Sequence, residues 1–113
     1  MKILVSNDDD HLRNHGFLLT PQGWRLAPAY DLNPIPYGHG LRLNISETSN
    51  ELDLGLARSV APHFRLKPDQ ATAIITEVLT AVRTWPQEAE TYQLNREEQQ
   101  RMGRAFAVAA LSV

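Results

Sequence analysis

The stretch Asn7-Asp8-Asp9-Asp10-His11-Leu12-Arg13-Asn14-His15 decides how this chain is read. It holds three carboxylates, two side-chain amides, a guanidinium and two imidazoles. Asp and Asn at this density favour a loop, because their short side chains take hydrogen bonds from nearby backbone amides. One reading stops there, at a solvated acidic turn. A second makes His11 and His15 a metal pair, since imidazoles four positions apart share a helix face. The Glu that such a motif carries after its first His is absent, Leu12 standing in its place, and no third ligand follows at zinc spacing. The third reading is phosphoryl transfer. The catalytic loop of protein kinases, H-R-D-x-x-x-x-N, places an Asp that takes or orients the hydroxyl proton five positions before an Asn that holds magnesium. Asp9 and Asn14 have this spacing; Asp8 and Asp10 do not, because Arg13 and His15 stand opposite them.

A second metal-binding Asp follows a short hairpin in kinases, where D-F-G lies. Here Phe17-Leu18-Leu19 and Trp24-Arg25-Leu26 flank Pro21-Gln22-Gly23, a pattern that predicts a β-hairpin. Asp31, in Ala29-Tyr30-Asp31-Leu32, comes just after it. Residues 32–44, with Pro34, Pro36, Gly38 and Gly40, predict an irregular excursion. Ile3-Leu4-Val5-Ser6 is too short to assign to helix or strand.

Beyond Asn50 the pattern turns helical, and three helices are expected. Ser49 or Asn50 caps the first, in which Leu52, Leu56 and Val60 recur at helical spacing up to Pro62. Pro68 suits the first turn of a second helix over residues 68–85. Its apolar face is Ala71, Ile74, Ile75, Val78, Leu79 and Val82, and Pro86 stops or bends it. Asn95 with Glu98 makes a capping box for the third, whose Met102, Phe106 and Ala109 share a face. Trp24, Phe64, Trp85 and Phe106 are expected core anchors. Arg58, Arg65, Arg83, Arg101 and Arg104 read as solvated or paired charges on helix faces. The fold class is therefore mostly α with a small β-hairpin. Residues 1–113 form one domain, with a catalytic-loop and hairpin region over 1–50 and a helical region over 51–113.

Composition agrees with one modest core. The 113 residues are 42% hydrophobic, and a chain of this size buries roughly two-thirds of its unfolded surface. Eleven Lys and Arg against thirteen Asp and Glu leave a charge of −2, which argues against direct nucleic-acid binding. Without cysteine there is no disulfide framework or thiolate metal site. The apolar runs are too short to span a membrane or to form a signal peptide, so a soluble cytoplasmic chain is expected.

The segment Asn7 to Leu19, followed by Gly23-Trp24-Arg25-Leu26-Ala27-Pro28-Ala29-Tyr30-Asp31-Leu32-Asn33-Pro34, resembles the C-terminal part of HipA-type serine/threonine kinases. Those are the toxins of bacterial toxin–antitoxin systems, linked to persistence. The likeness continues through Leu43-Asn44-Ile45-Ser46 and the helical tail. It implies part of the C-terminal lobe of a protein-kinase-like fold, with Met1 at the end of the helix before the catalytic loop. It implies Asp9 as the catalytic aspartate and His11, Leu12, Arg13 and Asn14 as a stretch that meets nucleotide. Tyr30 and Asp31 match a second such pair, and Asn14 and Asp31 match the magnesium ligands. The implied cofactors are magnesium and ATP, and the substrate is a protein. One departure is Asp8, where the family more often has a small or neutral residue. Crowded carboxylates without a cation are expected to raise the pKa of some of these aspartates.

No Gly-rich phosphate-covering loop occurs, and Lys2 and Lys67, the only lysines, follow no strand pattern. The chain therefore reads as a piece of a kinase without its nucleotide-binding lobe, inactive by itself. The alternative is a non-catalytic interaction module. Its apolar faces over residues 71–82 and 102–111 would dock an antitoxin, a complementary kinase-lobe chain or a second copy in a homodimer.

Overall fold

The computed structural model describes residues 1–111. Its centre is Leu4, 1% exposed, which with Val5 packs against Leu79, Val82 and Ala109. Residues 2–6 are neither helix nor strand but a succession of turns, closed by Leu4 N to Met1 O at 2.9 Å and Asn7 N to Lys2 O at 3.0 Å. A short apolar run can fill a core in this form because its backbone groups bond to one another at close range.

The hairpin forms where expected. Strand β1 (Phe17–Thr20) pairs antiparallel with β2 (Gly23–Leu26), in a register that sets Phe17 opposite Leu26 and Thr20 opposite Gly23. Pro21 pre-sets the turn, and Gly23 supplies the φ of 107° that returns the chain. Trp24 is nevertheless no core anchor. It is 70% exposed, and Phe17, Leu18, Leu19 and Leu26 are exposed with it. Two strands cannot bury their own faces, and the apolar side chains of this pair stay open to solvent. Phe64 is exposed as well, at the end of a 3-10 turn over Ala61–Phe64.

Helix α1 (Leu54–Val60) starts later than the spacing suggests. Its N-cap is Asp53, whose carboxylate accepts from Gly55 N at 2.7 Å, rather than Ser49 or Asn50. Both of those residues are occupied by the preceding excursion. The Asn50 carbonyl accepts from Leu41 N and the Ser49 carbonyl from Ile45 N, each at 2.8 Å. Helix α2 (Pro68–Val82) opens on Pro68 as predicted and buries Ala71, Leu79 and Val82. It ends three residues short of Trp85, and Pro86 then sits in the first turn of α3 (Trp85–Thr91), which the sequence did not announce. A proline is tolerated there because first-turn amides have no intrahelical partner.

Asn95 caps α4 (Arg96–Met102) through the expected box, with Glu98 N to Asn95 Oδ1 at 2.9 Å and Asn95 N to Glu98 Oε2 at 3.1 Å. The expected single last helix is broken. Gly103–Phe106 is a 3-10 turn, and α5 (Ala107–Leu111) follows. The Trp85 ring lies beside Gly103 and stacks on Phe106 at 4.6 Å. Trp85 and Phe106 are thus the two aromatic anchors that hold the helical half together. No helix among the described residues is long and apolar enough to cross a membrane.

Leu4→Ala should cost about 2–5 kcal/mol in urea unfolding, since the cavity lies at the centre of the core. Trp24→Ala should stay within about 0.5 kcal/mol of wild type. Comparable losses for the two would mean that the hairpin is covered.

Candidate functional site

The segment from Ser6 to Asn14 leaves the core through a left-handed Ser6, φ 51°, which turns Asn7 inward. Gly38 seals this entry. A Cβ on it would stand 2.9 Å from the Ser6 carbonyl and 3.2 Å from Asp8 Cγ, so the excursion approaches this closely only with glycine there.

The three aspartates then diverge. Asp8 is half-buried under Gly38. Asp9 is 59% exposed and forms an ion pair with Arg42 at 3.3 Å, itself 64% exposed. A pair this open is screened and worth little to stability. Asp10 turns inward, and its Oδ1 receives both Lys2 Nζ and His15 Nε2, the latter at 2.7 Å. Burial pushes the Asp10 carboxyl up, but the hydrogen bonds and charges of Lys2 and His15 together outweigh it and hold it below its ordinary value. For Asp10 the expected rise from carboxylate crowding is thus reversed, because Lys2 and His15 both hydrogen-bond to its carboxylate.

Leu12–Asn14 is a single 3-10 turn. Asn14 closes it, its Oδ1 accepting from His11 N at 3.1 Å. The buried Asn14 amide then reaches across the chain and donates from Nδ2 to Asp31 Oδ2 at 2.9 Å. Asp31 stands in left-handed backbone, φ 54°, a region that Asp and Asn enter more readily than most residues. Its Oδ1 accepts from Asn33 Nδ2 at 2.8 Å. Tyr30 docks beside it, the hydroxyl donating to the Arg13 carbonyl at 2.8 Å. Leu12 and Arg13 are exposed, and His11 Nδ1 is buried without a hydrogen-bond partner among the described residues.

The structure therefore brings Asn14, Asp31, Tyr30 and the Arg13 backbone together, while the Asp9 carboxylate makes its contact with Arg42. Lys2, Asn7, Asn33 and Arg42 also build the site, and the motif spacing pointed to none of them. Among the described residues no three His, Cys, Asp or Glu side chains gather as a metal-binding group, so the His11–His15 pair gains no third partner.

A polar loop closed onto an acid just past a β-hairpin, over a layer of helices, is the arrangement of the C-terminal lobe of a protein-kinase-like fold. The comparison with family models is more specific: residues 1–85 match the HipA-like C-terminal domain, and the chain belongs to that family. Neither the curated proteins nor the solved structures contain a match to it.

The Asp10 cluster gives a pH test. A carboxyl held below its ordinary value of 3.8 contributes stability that is fully present above that pH and lost as pH falls through the folded value. Between pH 5 and pH 2, the melting temperature of Asp10→Asn should therefore fall less steeply than that of wild type. Parallel slopes would show that the Lys2–Asp10–His15 contact contributes nothing in solution.

Proposed function

We propose that this chain carries the catalytic segment of a serine/threonine protein kinase of the toxin–antitoxin type. The single observation that carries the reading is the 2.9 Å contact between Asn14 and Asp31. It closes the two kinase-type elements, an Asp-x-x-x-x-Asn loop and an acid past a hairpin, onto one another across 17 residues.

In this reading Asp9 faces solvent because it must meet an acceptor hydroxyl, whose proton it takes or orients. Asn14 and Asp31 would hold magnesium. Their oxygens suit it: both are hard donors, the carboxylate keeps lone pairs beyond its two hydrogen bonds, and Asn14 Oδ1 keeps one beyond His11 N. Magnesium, when bound, supplies the positive charge that neutralises the phosphates. The exposed faces of Leu12, Arg13 and Tyr30, with His11, are the surface offered to nucleotide. Phosphate-covering groups come from polypeptide outside these 113 residues, which hold no Gly-rich loop of that kind.

A second reading, a docking module for a partner lobe, an antitoxin or another copy, is supported by the bare apolar hairpin of Phe17, Leu18, Leu19, Trp24 and Leu26. Light scattering on the purified chain separates the two. A clean monomer under all conditions counts against the self-association form of the docking reading.

The catalytic reading is tested by substitution. Calorimetric titration of magnesium-ATP onto the chain alone should give weak binding or none, and phosphate transfer by the chain alone would remove the need for a second lobe. In a kinase completed by that lobe, Asp9→Asn should slow transfer by about 10²-fold or more. Asp31→Asn should keep the fold, because Asn accepts the same left-handed backbone, and should abolish metal affinity. Unchanged metal affinity would remove Asp31 from the site.

A further inference from the structure

Asn7 is the least exposed polar residue described, at 2%, and has no part in the reading above. It lies two positions before Asp9, in the segment that leaves the core. Its Nδ2 donates to the Asp31 carbonyl at 3.1 Å and to the Asn33 carbonyl at 2.8 Å, reaching over more than twenty residues. Two carbonyl acceptors fix the amide's orientation, since the reversed amide would set three oxygens against one another. The same Asp31 whose carboxylate receives Asn14 and Asn33 thus has its backbone held by Asn7. Asp31 holds left-handed backbone at φ 54°, which Asp tolerates better than most residues, and these hydrogen bonds hold the carbonyls of Asp31 and Asn33 on either side of Leu32. The arrangement has a cost: Asn7 Oδ1 is buried without a partner among the described residues.

We infer that Asn7 is a positioning residue, a buried amide that fixes Asp31 so that its carboxylate meets Asn14. The inference deepens the proposed reading and rests on it for the metal, because Asn14 and Asp31 are the pair there assigned to magnesium. Groups that orient metal ligands from behind govern affinity as strongly as many ligands do. Neither a serine nor an aspartate can replace Asn7. A serine hydroxyl has one proton for two carbonyls, and an aspartate of the same shape offers none.

The test uses the full chain as wild type, Asn7→Ser, Asn7→Asp, Asp31→Asn and Leu4→Ala. The first readout needs no metal: exchange of the Asn14 side-chain amide protons, followed by NMR. They should be protected in wild type and lose protection in both Asn7 variants, while the backbone amides of Leu79 and Val82 stay slow. The second is binding of Mn²⁺ alone, by water-proton relaxation. Affinity should fall about tenfold in Asn7→Ser, be lost in Asp31→Asn, and be unchanged in folded Leu4→Ala, which destabilises the core without touching the site. Asn14 protons as protected in Asn7→Ser as in wild type would overturn the inference. So would a Leu4→Ala loss of affinity equal to that of Asn7→Ser, which would make Asn7 merely structural. Mn²⁺ binding untouched by Asp31→Asn would instead overturn the metal reading, a result separable from the first. Should Asn7→Asp fail to fold, Asn7→Ser decides.

Discussion

The structure depends on the burial of Leu4 and Val5 against the end of α2 and against α5. These two residues are where the irregular half of the chain is fastened to the helical half. The helices supply the platform, with Leu79, Val82 and Ala109 forming the floor. Ala105 and Ala109, both essentially fully buried, are small enough to let the backbones come close. Everything polar hangs from that fastening. The Val5 carbonyl accepts from Ile35 N at 3.2 Å, so the core turn also holds the start of the excursion. A loss at Leu4 would therefore lower the stability of the fold as a whole without removing any of the site's groups.

Beyond the fastening, regular secondary structure plays little part in shaping the site. Side-chain amides replace it. Asn7, Asn14, Asn33 and Asn50 between them bond to backbone carbonyls, a backbone amide and a carboxylate that no sheet or helix satisfies. Such a lattice is rigid only when complete, and Asn7 Oδ1 within it and His11 Nδ1 beside it lie buried without partners among the described residues. Left-handed residues at Ser6 and Asp31 bracket the same region.

Some of this was legible in the sequence. The Asp9–Asn14 spacing, the hairpin around Pro21 and Gly23, the opening of α2 at Pro68 and the capping box at Asn95 each rest on local chemistry. Local chemistry is written in neighbouring residues. What the sequence hid is non-local. Nothing near Asn7 says that it reaches Asp31, and nothing near Arg42 says that it lies beside Asp9. The cap of α1 shifted to Asp53 because Ser49 and Asn50 were already engaged by the excursion. Helix α3 escaped notice because seven residues bury only Ala89, too little apolar pattern to register. Trp24 departs for the opposite reason: a large aromatic side chain is the usual mark of a core residue, but this one stands in a strand pair whose apolar side chains are exposed.

That strand pair carries a consequence of its own. A ribbon with apolar side chains on both faces and an open edge on each strand is adhesive in every direction. In a cell such a surface is a recognition mark for chaperones and proteases while it stays bare. A binder that covered Phe17 and Trp24 would then lengthen the lifetime of this polypeptide without adding anything to its core.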